Sequence, residues 1–258
     1  MSVTFETKVW ENDWKLIMNT TRLQETINLC HYNFDDKVLY INNVNNRLLV
    51  ENTANKMIEN GIIDKYINVD EFSESALDYF NLSKNILGKG YYYSIAELVS
   101  IYLTETTYLL HFSSDTMPAL EVQKTWLSSG IEVLNAHKDV KVFNLAWNHD
   151  YKAAKEESEY EDSTCYYGYG FSDQMYLIRT ADFKQRIYEY YDKASERYPR
   201  HGGESFEKKV DSWMRQHNFL RATFKHSSYI HNNFSKFKLI NNIAVRVNKP
   251  NLFLSIKK

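Results

Sequence analysis

The chain has 258 residues, which is enough to bury a hydrophobic core without disulfides or structural metals. Its formal net charge is -2 and it has no lysine- or arginine-rich run beyond the C-terminal dipeptide, which argues against a large nucleic-acid-binding surface. The two cysteines match no zinc or redox spacing, the N-terminus has no signal-peptide pattern and no apolar run approaches the roughly 20 residues of a membrane span, so we expect a cytoplasmic protein.

The first half of the chain alternates segments of strand and helix character. Ser73 precedes an apolar helical pattern, and we expect it to cap that helix. The alternation predicts an α/β fold with a mostly parallel central sheet, in which ligands bind beyond the carboxyl ends of the strands. We predict strands at residues 3–10, 35–44, 62–72 and 107–114, and helices at residues 11–33, 47–61, 73–82 and 91–106.

The second half is less regular. The polar segment 153–163 is typical of a surface loop or short helix, and the tail 239–258 of strand or loop. No repeat, linker or low-complexity run is visible, so we expect a single domain over residues 1–258. We predict helices at residues 121–137 and 206–218 and strands at residues 140–147 and 175–183.

A single acid stands where the predicted strand 107–114 ends. The sequence there is "SSDTMP", with Asp115 followed by Thr116 and Pro118. A buried strand gains no stability from ending on a carboxylate. Two interpretations remain open, because Asp115 either caps the following turn or holds a divalent metal that binds a diphosphate.

Three later segments also carry groups suited to chemistry. "GGES" lets the backbone approach a ligand closely and places Glu204 and Glu207 near a helix start, where acids complement the helix dipole. "FKHSSYIHNNF" contains His226 and His231, which are possible metal ligands as well as ordinary surface or core histidines. "YYGYGFSDQ" is a loop rich in glycine and aromatic residues.

In this order, the four segments resemble the GT-A-type nucleotide-sugar glycosyltransferases, near the family 2 group of bacterial surface-polysaccharide enzymes. The resemblance covers about residues 3–234. It implies a GT-A-like fold with a nucleotide-binding half at 1–117 and an acceptor-binding half at 118–258. The matching residues are Ser113–Asp115, Gly168–Phe171, Gly202–Glu204, and His226 or His231.

The resemblance also implies roles for the polar residues at the centre of the site. Asp115 would bind Mn or Mg together with the donor diphosphate, and Ser114 would contact the donor. Ser113 replaces the first acid of the family's Asp-X-Asp motif, which is a departure that removes one charged ligand, although Ser113 could still hold a metal-bound water or the ribose of the donor. His231 is preferred to His226 as the late metal-site histidine, since it follows an apolar pair that could anchor its loop.

Proton transfer and substrate contacts are assigned in the same way. Glu204 is the expected general base, and Glu207 is the alternative because it lies one helical turn later. The nucleotide base or ribose would contact Thr7, Glu11 and Asn43, and the acceptor would contact Tyr169, Phe171, Asp173 and Arg200.

The expected function is therefore transfer of a sugar from a nucleoside-diphosphate sugar to a hydroxyl of a glycan or glycolipid, with inversion. Peripheral association with the inner face of a membrane fits the lipid-linked acceptors of many such enzymes, although no basic amphipathic helix is visible. Two alternatives stay open. One is a degenerate transferase-like domain that binds a glycan or protein without catalysis, which Ser113 favours. The other is a sugar nucleotidyltransferase, against which the glycine-free stretch "KVWENDWKLI" counts.

Overall fold

A ten-stranded mixed sheet runs through the part of the chain that this computed structural model describes, residues 1–198, 203–235 and 237–248. Its strands are β1 (Val3–Val9), β2 (Asp36–Ile41), β3 (Lys65–Asn68), β4 (Tyr108–Phe112), β5 (Thr116–Pro118), β6 (Val140–Trp147), β7 (Ser158–Glu161), β8 (Cys165–Gly168), β9 (Met175–Arg179) and β10 (Leu220–His231).

The strand order is β3-β2-β1-β4-β9-β6-β10-β8-β7, and β5 pairs with the far end of β10. Strands β3, β2, β1 and β4 are parallel, β9 runs against both of its neighbours β4 and β6, and β6 and β10 are again parallel. Strand β8 runs against β10, and β7 against β8. All strands except β5, β8 and β9 therefore point the same way, which confirms the predicted mostly parallel α/β sheet.

Helices cover both faces of the sheet. Helix α3 shows the pattern that places them, because its buried residues Val50, Ala54 and Met57 recur at helical spacing and the Asn46 side chain caps its first turn. No helix in the described ranges is long and apolar enough to cross a membrane. The helices are α1 (Trp14–Met18), α2 (Arg22–Leu29), α3 (Arg47–Glu59), α4 (Val69–Tyr79), α5 (Lys84–Leu87), α6 (Tyr91–Leu103), α7 (Trp126–Ala136), α8 (Tyr151–Glu156), α9 (Thr180–Phe183), α10 (Phe206–Gln216) and α11 (Lys238–Arg246).

Two hydrophobic cores lie on the two faces of the sheet. Helices α1, α2, α3 and α7 contribute to the first core, which includes Phe5, Phe112 and Trp126. Helices α4, α6, α9 and α10 contribute to the second, which includes Tyr176 and Phe206. Since both faces are covered, the central strands are buried on each side, as expected for a parallel α/β sheet.

Two boundaries in the first half differ from the prediction. Residues 11–33 form two helices instead of one, because the Thr20 and Thr21 side chains bond to Arg22 and Glu25 and start α2 afresh. The predicted strand 62–72 ends at Asn68, where α4 begins, so Ser73 lies inside the helix and donates to the Asp70 carbonyl instead of capping. Burial of Val69, Ala76 and Leu77 along one helical face outweighs the strand character of the local sequence.

Several features of the second half were not predicted. The polar segment 153–163, expected to be a surface loop or short helix, contains strand β7, and strand β8 follows it. The segment containing His226 and His231 is the long strand β10, which has an irregular register between Phe224 and Ser228. Strand β5 pairs with the end of β10. In the tail, 238–246 is helix α11, and residues 249–258 lie outside the described ranges.

Candidate active site

The candidate active site lies at the carboxyl end of β4. A tight turn follows the strand there, in which Thr116 N donates to the Ser113 carbonyl at 2.9 Å. The turn is fixed to the loop before β9, since Ser113 N and Thr116 Oγ1 both donate to the Gln174 carbonyl, at 2.8 and 3.0 Å. Asp115 is therefore held on a rigid turn at the strand end, where open parallel sheets bind their ligands.

The structure brings His231 to Asp115. Strand β10 pairs with β5 in a register that sets His231 opposite Thr116, and Nε2 of His231 lies 3.1 Å from Oδ2 of Asp115. His226 is exposed five residues earlier on β10, where its Nε2 lies 3.0 Å from the Ser163 carbonyl. Of the two histidines considered from the sequence, the geometry thus places His231 with Asp115.

Asp115 is kept ionised by its neighbours. Burial pushes the pKa of its carboxyl upward, but the hydrogen bond and charge of His231 and the Ser113 hydroxyl outweigh this and leave the pKa below its usual value. The Ser113 hydroxyl donates to Oδ1 of Asp115 at 2.9 Å. The serine that replaces the family's first acid therefore orients the remaining carboxylate.

Asn148 holds the backbone of His231. It follows β6 with a φ of 46°, an uncommon conformation that asparagine tolerates better than most residues. Its side-chain oxygen accepts from His231 N at 2.8 Å and its amide donates to the His231 carbonyl at 3.2 Å. The position of His231 is consequently fixed by the sheet.

Asp115 and His231 fit a shared divalent metal. Two ligand atoms that each lie about 2.1 Å from a metal, with an angle of about 90° at the metal, are about 3.0 Å apart. His231 Nε2 and Asp115 Oδ2 are separated by 3.1 Å. Within the described ranges no cluster of three or more His, Cys, Asp or Glu side chains could hold a metal. A metal at this pair would therefore need oxygen ligands from a bound ligand or water.

Asp13 and Arg22 are two buried charged residues beside this pair that the sequence analysis did not identify. Burial raises the pKa of Asp13 to about 7, against the effect of hydrogen bonds from the Ser114 hydroxyl and the Trp10 amide. Burial lowers the pKa of Arg22 to about 10, while the charge of Asp115 acts in the opposite direction. Asp13 follows β1 as Asp115 follows β4, so its position as an acid after a strand could have indicated it. Arg22 is the first residue of α2, and no sequence pattern distinguishes it from other helical arginines.

The residues predicted to contact the nucleotide lie along the ends of β1 and β2. Glu11 accepts a hydrogen bond from the Asn45 amide at 2.8 Å and so joins the two loops. Asn43 is exposed with a φ of 51°, and Thr7 is buried within β1. The Ser114 hydroxyl donates a hydrogen bond to the Asp13 carboxylate.

The two glutamates at the start of α10 lie in opposite environments. Glu204 pairs with Lys208 at 2.6 Å and with Lys209 at 3.1 Å, and these contacts hold its pKa below the usual value although burial acts the other way. Burial and the charge of Asp173 raise the pKa of Glu207 well above its usual value. The backbone amide of Asp173, the residue before Gln174, acts on the pKa of Glu207 in the opposite direction. Glu207 therefore faces the loop that holds Asp115, while Glu204 is neutralised by lysines.

The predicted acceptor contacts are only partly compatible with the structure. Phe171 is buried against Tyr176 and Phe206 in the second core, so its ring is no platform for a sugar, which corrects the prediction. Tyr169 lies under the Arg215 guanidinium and bonds Asn218. Asp173 is partly exposed beside Glu207. Arg200 lies outside the described residues.

The start of α10 packs directly on the start of α6 at Gly90. A Cβ on Gly90 would lie 2.6 Å from the carbonyl carbon of Glu204 and 2.7 Å from Ser205 N, which are backbone atoms that cannot rotate away. The Ser94 hydroxyl accepts from Phe206 N at 2.7 Å and joins the same two elements. Only glycine allows this approach, and it sets where Glu207 lies.

We predict that Gly90→Ala lowers the free energy of unfolding by about 1–3 kcal/mol, the usual range for overpacking, because the methyl group must push α10 away. Urea denaturation measures this, with Lys89→Ala, a change at the exposed neighbour, as the control. Equal stability of the two variants would contradict the close packing of α6 and α10.

No family model matches the sequence, and no curated protein matches it. Solved structures do match. Glucosyl-3-phosphoglycerate synthase from Mycobacterium tuberculosis, in complex with Mn2+, UDP and phosphoglyceric acid, is 11% identical with a TM-score of 0.50, over 99% of this chain and 80% of that one. GalNAc-T7 with UDP, GalNAc and Mn2+ is 10% identical with a TM-score of 0.53, over 90% of this chain and 44% of that one.

The chain has the GT-A fold. The similarity extends over nearly the whole chain. This chain spans less than half of GalNAc-T7. The Asp115 turn follows β4 in this fold, and its match to the Asp-X-Asp motif remains a prediction.

Proposed function

We propose that this protein is a glycosyltransferase that moves a sugar from a nucleoside-diphosphate sugar to a hydroxyl of a saccharide acceptor. The observation that carries the proposal is the Asp115–His231 pair, set 3.1 Å apart at the carboxyl end of β4 in a GT-A fold. Both solved structures named above contain UDP and Mn2+, which supports a metal-dependent UDP-sugar donor.

Asp115 and His231 would hold a divalent metal, with Ser113 and Asn148 fixing their positions. When bound, Mn or Mg neutralises the charge that develops on the diphosphate leaving group. The buried guanidinium of Arg22 lies close enough to Asp115 for their charges to interact, so it adds positive potential to this end of the site.

Glu207 takes the proton from the attacking acceptor hydroxyl in this proposal. Its raised pKa makes it a stronger base than a solvated carboxylate, whereas the two lysines on Glu204 weaken that residue as a base. In this scheme the acceptor hydroxyl displaces the diphosphate in one step, with one base and no covalent intermediate, so the configuration at the anomeric carbon is inverted. The choice of Glu207 over Glu204 reverses the order expected from the sequence.

The cellular role is a further part of the proposal. The resemblance to the family 2 enzymes supports a role in bacterial-type surface polysaccharide synthesis, in the cytoplasm or at the inner face of the membrane. The alternative of a binding domain without catalysis rests on Ser113, and the hydrogen bond from Ser113 to Asp115 gives that serine a use in an active site as well.

The test is a thermal-shift screen of UDP, GDP, CMP and dTDP, each with and without Mn2+. We expect one diphosphate to raise the melting temperature only when Mn2+ is present, since a ligand that binds the folded state stabilises it by mass action. A shift independent of Mn2+ would remove the metal from the proposal. If folded protein responds to no nucleotide, the binding-domain alternative replaces the transferase.

A further inference from the structure

A cleft of about 250 Å³ opens beside the candidate active site, between β6, α8 and β10. It is not part of the donor site described above, and no residue in it was predicted to contact a substrate. Its lining combines polar and apolar groups and includes Trp147, Asp150, Gln174, Arg221, Thr223 and Tyr229.

Gln174 joins this cleft to the Asp115 turn. Its carbonyl accepts from Ser113 N and Thr116 Oγ1, and its side-chain oxygen accepts from the Tyr229 hydroxyl at 3.1 Å. Tyr229 precedes His231 by two residues on β10. A molecule in the cleft would therefore lie next to the proposed metal–diphosphate end, on the side of Asp173 and Glu207.

The charges of the cleft disfavour an acidic ligand. Among the described residues that line it, Arg221 is the cation and Asp150 and Glu157 are the carboxylates. Arg221 already pairs with Glu157 at 3.0 Å, and Asp150 accepts from the Ala153 amide at the start of α8. With its cation compensated, the cleft has no surplus positive charge for a carboxylate or phosphate.

The polar groups of the cleft suit hydroxyls instead. Asn144 and Thr223 form a buried pair at 2.9 Å, and Gln174 and Asp150 add amide and carboxylate oxygens. These groups can donate to and accept from neighbouring hydroxyls.

Trp147 adds an aromatic surface at the end of β6. It is 49% exposed, which is unusual for the largest apolar side chain. Asn148 and His149, which follow it, both have positive φ and are bonded to β10, so the tryptophan stands on a fixed turn. A rigid indole beside hydroxyl-binding groups matches a sugar ring, whose faces are apolar and whose rim is polar.

We propose that this cleft binds the acceptor as a neutral saccharide residue, with Trp147 against the ring and Asp150, Gln174 and Arg221 at its hydroxyls. The inference rests on the proposed function and specifies it, since it names a neutral sugar where the similar mycobacterial enzyme is seen with phosphoglyceric acid. The cleft has room for a single sugar residue at the site, so a longer acceptor would extend out of it.

The test uses the indole N–H resonances of the full-length protein labelled with 15N-tryptophan. The chain has 5 tryptophans, and Trp147→Phe and Trp10→Phe identify two of the signals. Trp10 is the matched control, because it is also 49% exposed but lies after β1 in the nucleotide half. The probes are the methyl glycosides of glucose, galactose, mannose and N-acetylglucosamine, with 3-phosphoglycerate as the acidic comparison.

We expect one neutral glycoside to shift the Trp147 signal saturably while the Trp10 signal stays in place. No response of Trp147 to any of the four glycosides, or a response to 3-phosphoglycerate alone, would overturn the inference. Nucleotide binding in the thermal-shift screen is measured separately, so failure of the cleft is distinguishable from failure of the proposed function.

Kinetics give a second readout once an acceptor is found. Trp147→Ala should raise KM for the acceptor about tenfold, the loss of one good aromatic contact, and leave KM for the donor unchanged. Trp147→Phe retains a ring and should recover most of the loss. An equal rise of both KM values would assign Trp147 a general structural role and overturn the proposal.

Discussion

Replacing Asp115 with asparagine should remove metal-dependent nucleotide binding and reduce transfer by at least about a hundredfold. Loss of a residue that only supports a metal ligand costs 10- to 100-fold in affinity or activity, and a direct charged ligand is worth more. Asparagine keeps the shape of Asp115 and can still accept from the Ser113 hydroxyl, so the turn should survive. The Mn2+-dependent thermal shift with the diphosphate and the transfer rate measure the two losses.

A matched pair of histidine variants separates the metal site from a general effect on β10. His231→Ala should weaken the Mn2+-dependent shift strongly, whereas His226→Ala should not, because the contacts of His226 are with the Ser163 carbonyl and the Phe224 ring and not with Asp115. An Asp115→Asn protein that keeps its Mn2+-dependent shift would place the metal elsewhere.

Replacing Glu207 with glutamine should lower kcat by about 10²- to 10⁴-fold, the usual contribution of a general base. Glutamine matches the size of glutamate but cannot take a proton. Donor binding should be unchanged, since Glu207 faces Asp173 instead of the Asp115–His231 pair. Glu204→Gln is the matched control three residues earlier, and it should cost little because Glu204 is partly exposed and already paired with two lysines. The reverse result would restore Glu204 as the base.

The pH dependence follows from the same environment. Burial and Asp173 raise the pKa of Glu207, so kcat/KM should keep rising with pH beyond the range in which a solvated glutamate is fully ionised. Asp173→Asn removes the neighbouring charge and should move this rise to lower pH. An unchanged profile in Asp173→Asn would mean that another group sets it.

Glu207 should also cost the protein stability. Its folded-state pKa lies above the unfolded value, so the stability present below the unfolded pKa of about 4.5 is lost as pH rises through the folded pKa. At pH 8, Glu207→Gln should therefore melt on the order of a few degrees higher than the native chain, while it is nearly inactive. Differential scanning calorimetry at pH 5 and pH 8 would show the gain growing with pH.

The first half of the sheet was predictable because its strands are short apolar runs separated by helical patterns. Strand β10 was not, since its residues combine "KHSS" with aromatic positions and its register is irregular between Phe224 and Ser228. Its pairing with β5 depends on residues more than a hundred positions apart, which no local pattern contains. The start of α4 was also missed, because the β-branched residues before and at its first turn favour a strand.

The candidate site was likewise predictable only in part. Asp115 could be predicted as an acid at a strand end. His231 could be proposed as its partner, but only the fold shows that His231, and not His226, lies beside Asp115. The order of Glu204 and Glu207 could not be predicted, because it depends on which carboxylate meets Lys208 and Lys209 and which meets Asp173. Phe171 looked available for stacking because burial by Tyr176 and Phe206 is a property of the assembled core.

Strand β9 has a consequence for how this chain could be divided. It lies in the half of the chain expected to bind the acceptor, yet it stands between β4 and β6 and completes the hydrogen bonding of β4. A cut after residue 117 would thus leave the nucleotide half with an open strand edge, the kind of edge that pairs with other chains. The two halves named for their ligands are therefore not two independent folding units, and exchanging one of them between enzymes would require carrying β9 across the boundary as well.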